Sequence, residues 1–571
     1  MTKILGIKYG GHDTSAALLV DGKIIAACAQ ERYTRDKHSR KFPLEAIKDC
    51  LKISKLTIND IDEIAFVNDV NKFLREMYLR PALNNQKRLD FLFNDIEKIS
   101  KIYNYKKIIR EKLNYNGKIN NYRHHLCHVA SAYYASGFNK ALCLSIDGFG
   151  EYETGIIASA EKGDIKVLHD KNVYPHSLGL TYSAITDFLG WKHHCDEGII
   201  MGLAPFGNSK NIIPKTKKSY ISIFREIIIE KKDFNYEVNS KYIDYYTKRD
   251  QWVTERFKKV FGNKRKYKDK LSQHHKDIAA ALQDRLEEIV LNQLKKAKKK
   301  FKFNNLCLAG GVALNCSMNG KIEQSGLFKE IFVFPASGDD GCAIGACQLA
   351  YKKVNKKHSS KKDLNFYKGS IFSQNEIEKN LKNSGLQYEK PKNLFKIVSS
   401  YLQNGKIVAW FQDGSEFGPR ALGNRSILCK PYPVSMRDYL NKKVKFREEF
   451  RPFAPAVLDI FQRQYFELSQ DSPHMLIATK VKKNKKNIIP AVVHIDNTCR
   501  VQTVKKKINE RFYRLIASFY KLTKVPVLLN TSFNIKGQPI VNTPKEAIET
   551  YKTTNIDVLA IGNFLLTKKQ N

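Results

Sequence analysis

The 571-residue chain has no C-x-x-C pair, no apolar run near the length of a membrane-spanning helix, and few acids: 57 Asp and Glu stand against 98 Lys and Arg. The missing apolar run excludes a membrane-spanning helix, and the start "MTKILGIKYGG" has no signal-peptide core. A cytoplasmic protein is therefore expected. The eleven cysteines are scattered, several in apolar runs such as "ALCLSIDG" and "NNLCLAGG". They read as buried small hydrophobes in a reducing compartment. The shortage of acid leaves a formal charge of +41. Basic runs include "KRKYKDK" (264–270), "KKAKKKFKF" (295–303), "KKVNKKHSSKK" (352–362) and "KVKKNKK" (480–486). Such a surface attracts polyanions, nucleic acid among them. The alternatives are solvated helix faces and loops, or a coding bias toward Lys, Asn and Ile.

The length predicts two or three domains. The first segment, "KILGIKYGGHDTSAALLVDGKIIAACAQE", reads as strand, turn, strand, turn, strand, with Asp21-Gly22 as a hairpin signal. The same grammar returns near residue 141 in "ALCLSIDGFGEYETGIIASAEKGDIKVLHD". A duplicated unit of this kind is how the two lobes of actin-like folds present turns to a nucleotide; two unrelated meanders are the alternative. Residues 208–275 form a basic, tyrosine-rich stretch with helical periodicity in "YISIFREIIIEKKDF" and "YIDYYTKRDQWVTERFKKVF". A long helix, two strand–glycine turn–helix units and a lysine-rich linker near 352–363 follow, and a second domain begins near 366. A strand, a glycine turn and a helix N-terminus suit phosphate or ribose.

In "NYRHHLCHVASAYYAS", His124 and His128 stand at i and i+4, so one helix face carries both imidazoles. That is half a metal site; a helix cap of solvated histidines is the alternative. Asp147 in "SIDGFGE" and Asp339 in "ASGDDG" each follow an apolar strand and offer the missing carboxylates. Two His and two Asp suit Fe(II), Mn(II) or Zn(II) with open positions. Farther on, Arg420, Arg425, Lys445, Arg447, Arg451 and Arg500 lie in apolar context, where guanidinium forks suit a phosphate. Asn530 and Ser532 in "LNTSFN" add neutral donors.

A dozen motifs in order, among them "GGHDTSAALLVDGKI", "HHLCHVASAYYASGF", "DEGIIMGLAPFG", "AGGVALNC", "PASGDDGCAIGA", "EFGPRALGNRSIL", "VKFREEFRPFAPAV" and "LNTSFNIKGQPIV", span nearly the whole chain. In these it resembles the O-carbamoyltransferases of the nodulation-protein and tobramycin carbamoyltransferase family. The resemblance implies an α/β protein with a duplicated actin-like (ASKHA, RNase H-like) domain over 1–360, the 208–275 insertion included. A threonylcarbamoyl-AMP-synthase-like α/β domain over 366–571 would complete it. It implies ATP, with Mg(II), and carbamoyl phosphate as co-substrates of a carbamoyl-adenylate whose carbamoyl group passes to a hydroxyl. By the same resemblance His124, His128, Asp147 and Asp339 are metal ligands, Fe(II) being favoured. His12 stands near the acceptor as a catalytic base, and Gly310, Gly311 and Asn315 line the adenosine pocket. One departure is Ile199-Ile200, where many relatives have a lysine before "MGLAP"; Lys192 or Lys321 are the candidate substitutes. His193 and His194 in "WKHHCDE" are expected on the acceptor side, as solvated or acceptor-contacting groups.

The acceptor expected from the charge is nucleic acid, foremost the hydroxymethyl group of 5-hydroxymethylcytosine in DNA, a phage-type modification made in the host cytoplasm. A duplex base would have to flip out to reach an enclosed site. A sugar or secondary-metabolite hydroxyl, a tRNA-modifying role and a catalytically idle nucleotide-binding module are the alternatives. The oligomeric state is open, a homodimer included.

Overall fold

The N-terminal strands form as the pattern predicts. In the computed structural model, which describes residues 1–249 and 251–568, β1 (Lys3–Lys8) pairs antiparallel with β2 (Ser15–Val20), Lys3 opposite Val20. Position 250 of the expected insertion and the last three positions of the expected second domain lie outside the described residues. The turn into β3 (Lys23–Ala29) has positive φ at Asp21 (45°) and Gly22 (80°), the backbone that Asp-Gly adopts most cheaply. β4 (Glu63–Val67) and β5 (Lys118–Tyr122) then run parallel to β1 in the order β2-β1-β4-β5.

The second lobe repeats this plan. β6 (Lys140–Ile146) pairs antiparallel with β7 (Glu153–Glu161), which pairs antiparallel with β8 (Asp164–Val173). β9 (Asn305–Ala309) and β10 (Glu330–Val333) run parallel to β6, giving β10-β9-β6-β7-β8. In each lobe the first strand carries an antiparallel neighbour on one side and two parallel strands on the other, which is the duplicated actin-like arrangement. The inner parallel strands β4 and β9 are apolar runs because both faces are covered, whereas the edge strand β5 is polar and partly exposed.

Helix α1 (His124–Ser136) is buried over nearly its whole length and stops at Gly137, whose φ of 78° is left-handed. α2 (Gln273–Phe301) is the expected long helix. α3 (Cys342–Val354) crosses α1 so closely that a Cβ on Gly345 would lie 1.8 Å from the Cys127 carbonyl oxygen. The crossing requires glycine. Among the described residues, no helix is long and apolar enough to cross a membrane.

The chain divides into two units: residues 1–24, 40–44 and 56–362 make one, and 25–39, 45–55 and 363 onward the other. The expected boundary was a single switch between 360 and 366. Residues 25–39 and 45–55 instead belong with the second unit because their polar groups are used there. Arg32 donates to the Gly418 carbonyl (2.7 Å), Arg35 to those of Pro539 and Ile540 (2.8 Å each), and Tyr33 bonds Asp49 (2.5 Å) and Ser370 (3.1 Å). The lysine-rich 352–363 segment is not a free linker. Ser360 Oγ donates to the Tyr133 carbonyl (2.6 Å), Lys361 N to that of Tyr134 (3.0 Å), and His358 bonds Gln348 (2.5 Å).

The 208–275 stretch is less helical than its periodicity predicts. A helix over Tyr220–Ile227 gives way to a hairpin of Ile228–Glu230 with Tyr236–Val238, because the β-branched Ile run favours strand and Asp233 turns at φ 57°. Among the described residues of 239–249 and 251–254 there is one bridge, Ile243 to Val253, and helix resumes at Glu255, capped by Thr254. The second unit holds a seven-stranded mixed sheet. Its strands are β11 (Val408–Phe411), β12 (Arg425–Cys429), β13 (Ala454–Leu458), β14 (Gln502–Val504), β15 (Val527–Ser532), β16 (Val558–Ile561) and β17 (Phe564–Thr567). They lie in the order β14-β13-β15-β12-β11-β16-β17.

Candidate active site

α1 brings His124 and His128 together with their Nε2 atoms 3.0 Å apart, both rings shut off from solvent. Its N-terminus is closed by Glu151, whose Oε1 accepts from the backbone N–H groups of His124 (2.7 Å) and Asp69 (2.8 Å). Asp147, just past the end of β6, places Oδ2 2.9 Å from His128 Nε2 and 3.4 Å from His124 Nε2. Asp339, past the end of β10, places Oδ1 3.4 Å from His124 Nε2 and 3.6 Å from His128 Nε2. All four donor atoms lie within 4.8 Å of one another. The third histidine of the motif is structural: His125 bonds Ser145 Oγ (2.8 Å) and the Glu153 carbonyl (2.9 Å). Burial and its two histidine neighbours push its pKa down to about 3, so it stays neutral.

The electrostatics ask for a cation. Burial opposes charge on His124, yet the carboxylates of Asp339 and Asp147 overcome it and raise its pKa to about 10. His128 is raised too, against burial, by the Cys342 sulfur and by its hydrogen bonds to Asp147 and Asp339. Burial and mutual repulsion oppose charge on the two aspartates, but the histidines, and Lys8 for Asp339, hold both below the usual carboxylate range. Two imidazole nitrogens 3.0 Å apart can share a single proton between them. One divalent ion satisfies all four groups at once, so the residues fit the metal their spacing suggested.

A residue that the sequence reading missed completes this centre. Lys8, at the end of β1 and 3% exposed, places Nζ 3.1 Å from Asp339 Oδ2. Its one signal was a lysine closing an otherwise apolar strand.

The glycine turn after β9 packs directly on Asp147. Gly310 has φ 86°, and a Cβ there would meet the Ile146 carbonyl oxygen at 2.2 Å; a Cβ on Gly311 would lie 2.9 Å from Asp147 Oδ1. The expected adenosine contact of the Asn315 side chain is not what the structure displays. That amide caps the helix Cys316–Gln324 through Met318 N (2.9 Å) and exchanges two hydrogen bonds with Gln283 (2.9 and 3.0 Å). Its groups are committed to the fold.

His12 lies in the turn after β1 and bonds Asp13 Oδ2 through Nδ1 at 2.8 Å. Burial works against a charged ring, and the Asp13 hydrogen bond and charge outweigh it, so its pKa lies above the usual histidine value. The His194 ring lies at 27° to His12 with centroids 6.0 Å apart, and His193 and Trp252 adjoin His194. Ile199 and Ile200 are buried, and Lys192 and Lys321 are exposed.

In the second unit the predicted cations fall into two groups. Arg425 is fully buried, over the Phe411 ring at 3.7 Å, its Nε without a hydrogen-bond partner among the described residues. Its guanidinium donates to the carbonyls of Gln412, Asp413 (3.1 Å), Asn424 (3.1 Å) and Ser370 (3.0 Å). It is a brace for the loop between β11 and β12. Lys445, Arg447, Arg451 and Arg500 do converge. Buried Lys445 is held by the oxygens of Ser532 (2.7 Å to the carbonyl) and Asn534 (2.6 Å to Oδ1), and burial together with Arg447 and Arg451 drives its pKa well below the lysine value. Arg447 is likewise lowered by burial, Arg451 and Arg500, with Glu448 the opposing carboxylate. Arg500 Nε is buried with no hydrogen-bond partner among the described residues. Asn530 Nδ2 bonds Gln502 and the Ala421 carbonyl while its Oδ1 has no partner among the described residues, Ser532 Oγ bonds Asn534, and Arg420 is half-buried.

The basic runs also differ among themselves. Arg265 lies buried over Trp191 and donates to the Leu189, Tyr267 and Asp269 carbonyls, whereas Lys295, Lys299 and Lys300 are exposed at the end of α2.

A duplicated actin-like domain with a buried two-His, two-Asp centre, in one chain with a cation-rich α/β unit, defines a group-transfer enzyme. Residues 3–348 match the Carbamoyltransferase N-terminus family and residues 399–568 the Carbamoyltransferase C-terminus family. An uncharacterised Synechocystis protein is 37% identical, covering all of this chain and 97% of that one. Nodulation protein NolNO of Sinorhizobium fredii is 35% identical over 98% of this chain and 79% of that one. The chain therefore belongs to the carbamoyltransferase family and is a carbamoyltransferase. Among solved structures, component A of the Acidaminococcus fermentans (R)-2-hydroxyglutaryl-CoA dehydratase aligns with 62% of this chain and 99% of that one, at 14% identity and a TM-score of 0.34. At that level the fold assignment rests on the strand order itself.

Proposed function

We propose that the protein converts carbamoyl phosphate, ATP and one water into carbamoyl-AMP, phosphate and pyrophosphate, and passes the carbamoyl group to the hydroxymethyl oxygen of 5-hydroxymethylcytosine in DNA. The observation that supports the activating half is the crowding of cations around Lys445 and Arg447: burial with Arg447 and Arg451 lowers the pKa of Lys445, burial with Arg451 and Arg500 lowers that of Arg447, and a bound polyanion relieves both. Lys445 would sit on a phosphoryl oxygen while the arginines bind bidentately, Mg(II) accompanying ATP.

In the transfer half, His124, His128, Asp147 and Asp339 would hold a divalent ion, which when bound supplies Lewis-acid polarisation of a carbonyl. Asp13 on His12 Nδ1 makes Nε2 the basic nitrogen. As the acceptor hydroxyl attacks the carbamoyl carbon, its proton passes to that Nε2 and AMP leaves. The backbone at Gly310 and Gly311 offers the close approach that a nucleotide needs, and Asn315 keeps that turn in shape.

What supports a DNA acceptor is the excess of 41 positive charges, with no small-molecule acceptor to call for it. Incubation with carbamoyl phosphate, ATP, Fe(II) or Mn(II) and hydroxymethylcytosine-containing DNA, followed by nucleoside mass spectrometry, tests it. A gain of about 43 Da, the mass of one carbamoyl group less the displaced hydrogen, confined to hydroxymethylcytosine is the expected result. Pyrophosphate release without that gain would remove the DNA acceptor. A sugar hydroxyl is the second reading, favoured by the half-buried ring wall beside His12, since aromatic faces also pack on sugar rings.

A further inference from the structure

Trp252 lies in the part of the insertion whose periodicity predicts a helix and whose backbone is irregular. Its ring centroid is 4.8 Å from His193 and 5.4 Å from His194, tilted 50° and 63° to them. His194 in turn lies 6.0 Å from His12 at an interplanar angle of 27°. The four rings form a bent wall that ends at the proposed base, and all four are half-buried, so part of each remains uncovered.

The wall is rigid from behind. Tyr245 packs 5.9 Å from Trp252, donates its hydroxyl to the Pro175 carbonyl (2.6 Å), and accepts on its own carbonyl from Tyr174 (3.1 Å). Met77, Tyr78, Tyr174 and Leu180 form the core under it. The wall also carries an unanswered polar atom. His193 Nδ1 is buried and has no hydrogen-bond partner among the described residues. Burial holds this ring below the usual histidine pKa and therefore neutral, so its nitrogens can serve one donor and one acceptor.

We infer that Trp252, His193 and His194 form the acceptor subsite, and that it takes a planar nitrogen heterocycle, stacked on the rings and hydrogen-bonded at its polar edge by His193 Nδ1. The inference rests on the DNA reading above and narrows it to the base itself. Aromatic and imidazole faces stack on every base, and a neutral ring nitrogen pairs with the amino or ring-nitrogen edge of a pyrimidine. A base extruded from a duplex would exchange its lost stacking for this wall.

The test compares wild type, Trp252→Ala, Trp252→Phe and His193→Phe, with free 5-hydroxymethyl-2′-deoxycytidine and hydroxymethylcytosine DNA as acceptors. Pyrophosphate release from ATP in the presence of carbamoyl phosphate in the same samples reports the activating half. Trp252→Ala is expected to raise KM for the free nucleoside on the order of tenfold or more, with most of the loss recovered in Trp252→Phe. His193→Phe keeps the ring and deletes Nδ1, and KM should again rise on the order of tenfold. If Trp252→Ala fails to fold, His193→Phe carries the test. Wild-type KM in the variants, with wild type active on both acceptors, overturns the subsite and leaves the DNA reading standing. A wild type that releases pyrophosphate yet modifies neither acceptor overturns the DNA reading, and the subsite with it.

Discussion

Lys8 and Asp339, 331 positions apart in the chain, form a buried ion pair with Nζ 3.1 Å from Oδ2. The other oxygen of Asp339 faces the two histidines, so one carboxylate serves both a fixed ammonium and the metal position. Lys8→Met leaves that carboxylate without its ammonium, and breaking a buried pair costs about 3–5 kcal/mol. A bound divalent ion replaces the lost charge. Melting with and without Mn(II) should therefore show a large fall in Tm for the metal-free variant and a smaller one for the loaded variant. Equal falls would refute the shared role of Asp339.

Lys445 makes anion binding depend on pH. In the free protein its pKa is depressed below 10.5 by burial, Arg447 and Arg451. A bound phosphate opposes all three and raises it. Between the depressed and the raised value, binding takes up a proton, so affinity for carbamoyl phosphate should fall as pH rises through that window. Calorimetry in buffers of different ionisation enthalpy reads the proton directly. For folding alone the sign is opposite: the unfolded chain binds the proton more tightly, so the unliganded protein gains stability as pH rises toward 10.5.

Arg425 and Arg500 should separate cleanly on mutation. Arg425→Ala strips the donor from four carbonyls and should cost about 3 kcal/mol or more in stability. Arg500→Ala, whose buried Nε has no partner among the described residues, should leave Tm nearly unchanged and weaken carbamoyl phosphate or ATP binding on the order of tenfold. Denaturant unfolding and equilibrium binding on both variants check the division.

Gly311 fixes the carboxylate of Asp147, one of the four proposed metal ligands, without being one itself. A Cβ there would lie 2.9 Å from Asp147 Oδ1, closer than ordinary packing allows. Gly311→Ala should turn that carboxylate and weaken the Kd for Mn(II) by about tenfold or more, the usual effect of disturbing the shell behind a ligand. A titration with the wild-type Kd would place Asp147 outside the metal's reach.

The duplicated lobes were legible because their strands repeat one grammar of apolar run, Gly or Asp-Gly turn and small-residue strand. The four metal-type ligands were legible because two share a helix face and two follow apolar strands. Lys8 was not, since nothing local tells a buried lysine at a strand end from an exposed one; its partner arrives from the far end of the lobe. The bracing role of Arg425 was not legible, for the converse reason. Its sequence neighbours resemble those of Arg447, and only the carbonyls around it reveal a structural brace. The placement of residues 25–39 and 45–55 in the second unit likewise depends on hydrogen bonds to positions 370, 418, 539 and 540, which no local pattern encodes.

The most direct test of the account is metal content. After loading with Fe(II) or Mn(II) and removal of excess ion, the wild type should retain a single divalent ion per chain by elemental analysis. His128→Ala and Asp147→Asn should retain little, each losing one of four donors that lie within 4.8 Å of one another. A wild type that holds no ion, or variants that hold as much as wild type, would contradict the metal centre on which the proposed transfer chemistry rests.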